Sequence, residues 1–211
     1  MDELMRVLEI TFFAGVFAGI ISFLAHPLYI ISIIKGETIA HPATWIAETL
    51  LTLSALIFLE KAGGENVKYV IWGDLLGFII ITILAIFFAT SKKSIFRFFN
   101  KEALFCLLGV FVGIGVFIIS KDPLHALFAT LISEFFALWP TIHKVYRELN
   151  GESIMAWTFT CLGNAINFFA MHWGNQADMI YVFLIFFIDG VILVLIFRGS
   201  IIQRKFLNGI L

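Results

Sequence analysis

Long apolar stretches separated by short polar connections make up nearly all of this chain. A helix that crosses a membrane needs roughly 20 mostly apolar residues, and seven stretches approach or reach that length. They are called predicted spans one to seven and lie near 7–34, 42–60, 67–90, 104–119, 124–146, 153–173 and 177–198. Because the connections are short, little sequence remains for a soluble domain. The pattern therefore predicts an all-α, multi-pass membrane protein with seven transmembrane helices.

Composition agrees with this pattern. Hydrophobic residues fill 61% of the 211 positions, 25 residues are phenylalanine, and the mean hydropathy is +1.00. These values exclude an ordinary soluble domain. No basic stripe or arm suggests nucleic acid as a partner, and the histidines and cysteines show no clustering typical of a metal site. We therefore expect a lipid bilayer and a small-molecule solute as partners, and no cofactor.

The lysines and arginines are unevenly distributed between the two ends of the predicted spans. An N-terminus on the outside puts ten of the 14 in cytoplasmic segments and four outside. The positive-inside rule then predicts an N-out, C-in topology, and the expected location is the cell (inner) membrane. The strongest bias comes from the loop at 91–101, which also fits an interfacial stretch because aromatic residues alternate with its cations.

An internal repeat relates residues 24–57 to residues 137–169. Each stretch has a proline late in one span, a short polar loop and a tryptophan early in the next span. The paired markers are Pro27 and Pro140, Gly36-Glu37-Thr38 and Gly151-Glu152-Ser153, and Trp45 and Trp157. Spans one to three then correspond to spans five to seven, and span four is left over. An odd linker helix makes the two repeats parallel, which is one recognised plan of secondary transporters.

The repeat predicts three parts: a three-helix bundle over 1–90, a basic loop and linker helix over 91–123, and a second three-helix bundle over 124–211. In this 3+1+3 plan and in the two Pro…Gly-Glu-(Thr/Ser)…Trp stretches, the chain resembles the SWEET and PQ-loop (MtN3-like) transporter superfamily. The family's characteristic motif is a proline followed by glutamine. This chain departs from it, because Leu28 follows Pro27 and Thr141 follows Pro140. The resemblance implies transport of a small solute, proton-coupled in some members, whereas one branch acts as a sorting receptor.

Four carboxylic acids fall within the predicted spans: Glu48, Asp74, Glu134 and Asp189. An acid at membrane depth is costly and normally faces a cavity, a partner or a proton path. No lysine or arginine falls in the middle of any predicted span, so such acids tend to be neutral. Each acid either exchanges protons with water during transport or stays protonated and donates one structural hydrogen bond. For Asp74 and Glu48, extension toward a membrane surface is an equal alternative.

A polar stripe in span six adds to these candidates. Thr160, Asn164 and Asn167 follow one another at spacings of four and three, which places them on one helical face. Aligning the two tryptophans puts Glu48 and Thr52 at the first two equivalent positions of span two. The stripe either lines a cavity or supplies hydrogen bonds between helices.

Pro27 and Pro140 are candidate hinges. A proline inside a spanning helix removes a backbone hydrogen bond and kinks the helix, and here it does so at equivalent places in both repeats. The kinks serve either as pivots for alternating access or as static bends. His26 and Trp157 are candidate gate residues, with a neutral packing histidine and an interfacial tryptophan as the alternatives.

The leading interpretation is a transporter that moves a small polar solute, such as a sugar, an amino acid or a similar metabolite, by alternating access, with proton coupling or as a uniporter. The alternative is a membrane-embedded ligand-binding or sorting receptor on the same fold. An enzyme is disfavoured, because no motif supports an aspartyl dyad. A retinal protein is excluded, because residues 179–197 contain no lysine.

Two Gly-x-x-x-Gly patterns predict close helix contacts. They are Gly15…Gly19 in span one and Gly109…Gly113 in span four. Such patterns let helix backbones approach closely, either within one protomer or in a homo-oligomer. The sequence leaves both arrangements open.

Overall fold

The computed structural model describes residues 2–38, 40, 42–91, 101–148 and 152–207. For residues 2–7, 88–91, 101–107, 110, 148 and 203–207 it describes the backbone alone. The helices α1 to α8 cover Asp2–Ile34, Pro42–Lys61, Lys68–Ser91, Lys101–Ser120, Pro123–Ala137, Trp139–Glu148, Ile154–Asn167 and Gln176–Leu207. Regular structure in the described ranges is thus helical, and the predicted all-α class is confirmed. Most of the basic loop predicted at 91–101 lies outside the described residues.

Five helical segments are long and apolar enough to cross a membrane: Leu8–Ile34, Pro42–Lys61, Lys68–Phe87, Pro123–Arg147 and Gln176–Ile202. They match predicted spans one, two, three, five and seven. Spans four and six are also helical, but their described apolar segments are shorter. In α4 that segment covers Phe111–Ser120, and α7 has 14 residues. Five long apolar helices are consistent with a membrane protein.

Local sequence explains where several helices begin and end. Asp122 caps α5, because its side chain accepts a hydrogen bond of 2.8 Å from the N–H of Leu124, and Pro123 occupies the first turn. That backbone hydrogen bond holds the pKa of Asp122 below its usual value. Gly36 and Gly63 follow the ends of α1 and α2 with φ angles of 74° and 85°, a conformation that favours glycine.

The two candidate hinge prolines occupy different local structures. Pro27 lies inside α1, which continues to Ile34. Pro140 follows a break at Leu138, which ends α5 one residue before α6 begins. A proline is tolerated in the first turn of a helix, where its missing N–H has no helical partner. Pro27 thus lies inside one continuous helix, whereas the helical segment that contains Pro140 is interrupted at the single residue Leu138.

Neighbouring helices follow a regular scheme. Helix α3 packs against both α1 and α2, and α8 packs against α5, α6 and α7. Across the molecule, α1 packs against α7, and α2 packs against α5. Helix α4 lies against α5 and α2. The acids on α2, α3, α5 and α8 therefore belong to helices that all take part in this packing.

Both glycine patterns make contacts within the chain. A Cβ atom on Gly19 would lie 2.5 Å from the carbonyl oxygen of Tyr69, at the start of α3. A Cβ atom on Gly113 would lie 2.8 Å from Oγ1 of Thr130 on α5. The glycines thus permit close packing of α1 on α3 and of α4 on α5.

Candidate functional site

All four predicted membrane acids line one cavity between the helices. Glu48 comes from α2, Asp74 from α3, Glu134 from α5 and Asp189 from α8. Each side chain is buried, with between 2% and 8% of its residue surface exposed. The cavity volume is about 50 Å³, measured as the space open to the centres of water molecules. Since one water needs roughly 10–15 Å³ on this measure, the cavity has room for a few waters in this conformation.

The charges around this cavity are mainly acidic. Among its described lining residues, His26 is the one basic side chain beside four carboxyl groups. Carboxylates that share a buried site repel one another and lose their hydration, so they cannot all be ionised together. The cavity must therefore hold protons or a cation when it is sealed from water.

Asp74 is buried and hydrogen-bonded inside the helix packing. Ser22 Oγ donates a hydrogen bond of 2.5 Å to Asp74 Oδ1, and His26 Nε2 lies 3.1 Å from the same oxygen. Ser22 and His26 are four residues apart on α1, so both reach the same side of that helix. Asp74 and Glu48 were each predicted either to be buried between helices or to extend toward a membrane surface. In the structure both side chains are buried between helices.

Two acids keep a buried oxygen without a partner. Oε1 of Glu48 and Oε2 of Glu134 have no hydrogen-bond partner among the described residues. An unpaired buried polar atom is expensive, and native structures rarely retain one without a reason. These two oxygens are therefore available to water, to a proton or to a ligand.

The polar stripe on α7 divides between the two predicted roles. Thr160 lines the cavity. Asn164 is fully buried, and its Nδ2 donates a hydrogen bond of 2.7 Å to Asp189 Oδ2, which orients that acid. Asn167 Nδ2 donates at 3.4 Å to the carbonyl oxygen of Val67, just before α3. Asn164 is thus a positioning residue beside the cavity, whereas Asn167 joins two helices.

Aromatic rings in contact with one another form part of the cavity lining. The ring centroids of Tyr29 and Trp45 are 4.9 Å apart, and those of Trp45 and Phe78 are 5.3 Å apart. Phe78 also contacts the His26 ring edge-on, at 5.2 Å. Trp157, the counterpart of Trp45 in the repeat, lines the same cavity.

Glu152, from the Gly-Glu-Ser loop, is hydrogen-bonded to two of these aromatic residues. Its carboxyl group accepts hydrogen bonds from the Tyr29 hydroxyl at 3.4 Å and from Trp157 Nε1 at 3.1 Å. It also pairs with the ammonium group of Lys144 on α6, and its side chain is 1% exposed. We call Tyr29, Lys144, Glu152 and Trp157 the Glu152 cluster. The cluster ties α1 to α6 and to the start of α7.

Most of the residues selected from the sequence meet at this cavity. Its lining includes Glu48, Asp74, Glu134, Asp189, His26 and Trp157. Asn164 is one hydrogen bond away, through Asp189. Asn167, Pro27 and Pro140 are not among the lining residues.

Sequence reasoning missed several residues of the site. Ser22 and Tyr29 were not selected, although Ser22 lies four positions before His26, a spacing that indicates a shared helical face. Glu152 was noticed as part of a repeat marker but was not assigned a role. Trp45 was used only as a repeat marker, although its alignment with Trp157 indicated an equivalent position.

Convergence of acids does not by itself create a metal site. In the described part of the chain, no group of three or more histidine, cysteine, aspartate or glutamate side chains could hold a metal ion. No protein-family model, curated protein or solved structure matches this chain. Function must therefore be argued from the cavity.

Proposed function

We propose that the protein is a membrane transporter that moves a small polar solute by alternating access, with protons carried on the cavity acids. The observation that supports this most is the meeting of four acids, from α2, α3, α5 and α8, at one buried cavity. Ionisable groups within membrane helices are expensive, and they typically mark solute or proton paths. A cavity that only stabilised the fold would be better filled with apolar side chains.

The helix contacts support a 3+1+3 arrangement within this proposal. If α1, α2 and α3 correspond to α5, α7 and α8, then each half has its third helix packed against its first and second. Two contacts join the halves: α1 with α7, and α2 with α5. Replacing each helix by its counterpart in the other half turns the first contact into the second. Such an arrangement suits two parallel repeats that move against each other. Helix α4 is then the linker, and the positive-inside rule favours N-out.

The resemblance to the SWEET and PQ-loop superfamily belongs to the same proposal. On this view the chain is a divergent member, in which Leu28 and Thr141 replace the glutamine that follows proline. The hinge role of the prolines is also proposed. The break at Leu138 supports it for Pro140, because Leu138 lines the cavity and separates α5 from α6.

In the proposed cycle, the two ends of the cavity open in turn. The Glu152 cluster closes the end that faces the cytoplasm under an N-out topology. At the opposite end, Asn175 Nδ2 donates a hydrogen bond of 2.6 Å to the carbonyl oxygen of Gly63, which joins the start of α8 to the end of α2. An acid that takes up a proton from one side and releases it on the other couples the solute to the proton gradient.

Uptake into proteoliposomes tests the proposal. A pooled set of labelled sugars, amino acids and small metabolites is offered without a proton gradient, with an inward gradient and with an outward gradient, because symport responds to the inward one and exchange to the outward one. We expect gradient-stimulated uptake that is lost in Glu134→Gln and in Asp189→Asn. Glu60→Gln is the matched control, because the Glu60 side chain is exposed at the protein surface, away from the cavity, and pairs with Lys68.

The other outcomes separate the alternatives. Solute uptake that ignores the gradient would indicate a uniporter and would leave the acids with a structural or solute-binding role. Saturable binding without uptake would favour the receptor on the same fold. Full gradient-driven uptake by both cavity variants would contradict the proton-carrying role.

A further inference from the structure

We infer that the solute is a small organic cation, whose ammonium group binds among the carboxyl groups of the cavity. This inference rests on the proposed transport function and names its substrate class. It follows from the charge, hydrogen-bonding capacity, aromatic lining and size of the cavity.

The charge of the cavity favours a cation. Four carboxyl groups face it, and the basic residue among the described lining, His26, already lies against Asp74. An anionic solute would enter beside these acids without a lysine or arginine to receive it. A cation would replace the protons that the acids otherwise need.

The hydrogen-bonding capacity of the lining points the same way. Oε1 of Glu48 and Oε2 of Glu134 lack partners among the described residues and are available as acceptors. Several donors near the cavity already donate hydrogen bonds to acids other than Glu48 and Glu134. Asn164 donates to Asp189, Ser22 donates to Asp74, and both Tyr29 and Trp157 donate to Glu152. An ammonium group brings three donors and no acceptor, so it complements this site. A sugar needs several donors as well as acceptors, and among the described lining residues Thr52 Oγ1 is an unpartnered hydroxyl that supplies one, so a sugar complements the site less well than an ammonium group does.

Aromatic rings complete the site for a cation. Tyr29, Trp45, Phe78 and Trp157 line the cavity together with the acids. A cation within about 6 Å of such a ring is attracted by the negative face of the ring, and the gain is larger in a desolvated site. The same rings provide apolar contacts for the carbon atoms of an alkylammonium ion.

Size limits the cation. A cavity of about 50 Å³ on the water-centre measure has room for three or four waters. A primary alkylamine of about four non-hydrogen atoms is of that size. Larger amines require the cavity to widen as one end opens.

Binding should release protons. When the ammonium group meets a protonated carboxyl group, the O–H proton leaves to water and an ammonium–carboxylate pair remains, so charge balances. The cation and the proton thus compete for the same oxygens. The titratable groups that face the cavity are the four acids with His26, Tyr29 and Tyr181. The inference therefore predicts exchange of a cation for protons.

Isothermal titration calorimetry of the purified full-length protein tests this with n-propylamine, n-propanol and propionate, which are close in size and differ in charge. We expect propylamine to bind at least about tenfold more tightly than the other two, as charge-assisted hydrogen bonds provide. Its apparent enthalpy should change between buffers of different ionisation enthalpy, because protons are released. Its affinity should fall as the pH decreases, while the amine, with an ordinary pKa of about 10, stays protonated.

Variants locate the site. Glu48→Gln and Glu134→Gln should each weaken propylamine binding by about tenfold or more, and Glu60→Gln should leave it unchanged. The comparison of the three probes on the unaltered protein needs no variant, so it decides the question even if a variant fails to fold. Propylamine binding no tighter than that of propanol would overturn the inference.

Failure of this inference can be told apart from failure of the transport proposal. Gradient-driven uptake of a neutral or anionic solute would keep the transporter and remove the cation. Propylamine that binds with proton release, but enters proteoliposomes no faster than protein-free liposomes, would keep the cation site and remove transport.

Discussion

At the scale of single residues, the contact between Asp74 and His26 depends on a missing side chain. Gly77 lies one turn after Asp74 on α3, and a Cβ atom on it would come within 2.0 Å of Cγ in the His26 ring. No real Cβ atom tolerates such a distance. Glycine at this position is therefore what allows the imidazole to reach the Asp74 carboxyl group.

The Gly77→Ala variant should displace His26 and separate it from Asp74. Overpacking of a buried site typically costs about 1–3 kcal/mol, so the midpoint of thermal unfolding should fall by several degrees. Gradient-stimulated uptake should fall with it. Gly115→Ala is the control, since no atom lies within 4 Å of its added Cβ and alanine favours the helix. A Gly77→Ala protein as stable and as active as the unaltered one would show that the position of His26 is unimportant.

The acids of the site, and also His26 and Asn164, could be selected from the sequence, whereas Ser22 and the pairing of each acid with its partner could not. Glu134 and Asp189 stand out because charged residues are rare in long apolar runs. Ser22 is an ordinary polar residue within an apolar helix, and its contact with Asp74 follows from which helix faces meet. That arrangement is set by tertiary packing, which one sequence does not specify.

At the scale of helices, hydrophobic runs predicted the spans more reliably than their ends. Span six was expected to reach 173, but α7 ends at Asn167 and turns follow at 168–170. The apolar residues that continue the run, such as Phe168 and Phe169, fit a helix or a turn equally well. Likewise, Pro140 indicated a kink but not its exact place. In the structure the helix is interrupted at Leu138, two residues before the proline.

The Glu152 cluster predicts how one end of the cavity opens. In Glu152→Gln, the neutral amide no longer balances the Lys144 ammonium group and holds Tyr29 and Trp157 more weakly. Loss of hydrogen bonds to a charged group typically costs about 1.5–3 kcal/mol, so this end should open at least about tenfold more often. The rate at which a thiol reagent reaches a cavity cysteine from the loop side measures that opening.

The probe for this test is Ala55→Cys in a protein whose Cys106 and Cys161 are replaced by serine. Ala55 lines the cavity and is 1% exposed, so its thiol reacts only when an end opens. Glu37→Gln is the matched control, because Glu37 is the equivalent loop acid in the first repeat and is exposed. Equal labelling rates in Glu152→Gln and the control would contradict a closing role for Glu152.

At the scale of the whole molecule, the account requires one cavity that is reached from both membrane surfaces in turn. This conformation holds contacts at both ends: the Glu152 cluster at one, and the hydrogen bond from Asn175 to Gly63 at the other. The hydrogen bonds from Tyr29 to Glu152 and from Asn175 to Gly63 each join a residue of 1–90 to a residue of 124–211, which are the two proposed bundles. Loosening one end while the other stays closed is the motion that transport demands.

The most direct test is side-specific labelling of the Ala55→Cys probe in sealed, oriented vesicles with a membrane-impermeant thiol reagent. Glu37→Cys and Glu65→Cys, exposed positions that precede and follow α2, report which surface the reagent reaches. The account predicts labelling of the cavity cysteine from either side, slowed by bound solute. Labelling from one side alone, or from neither, would contradict alternating access.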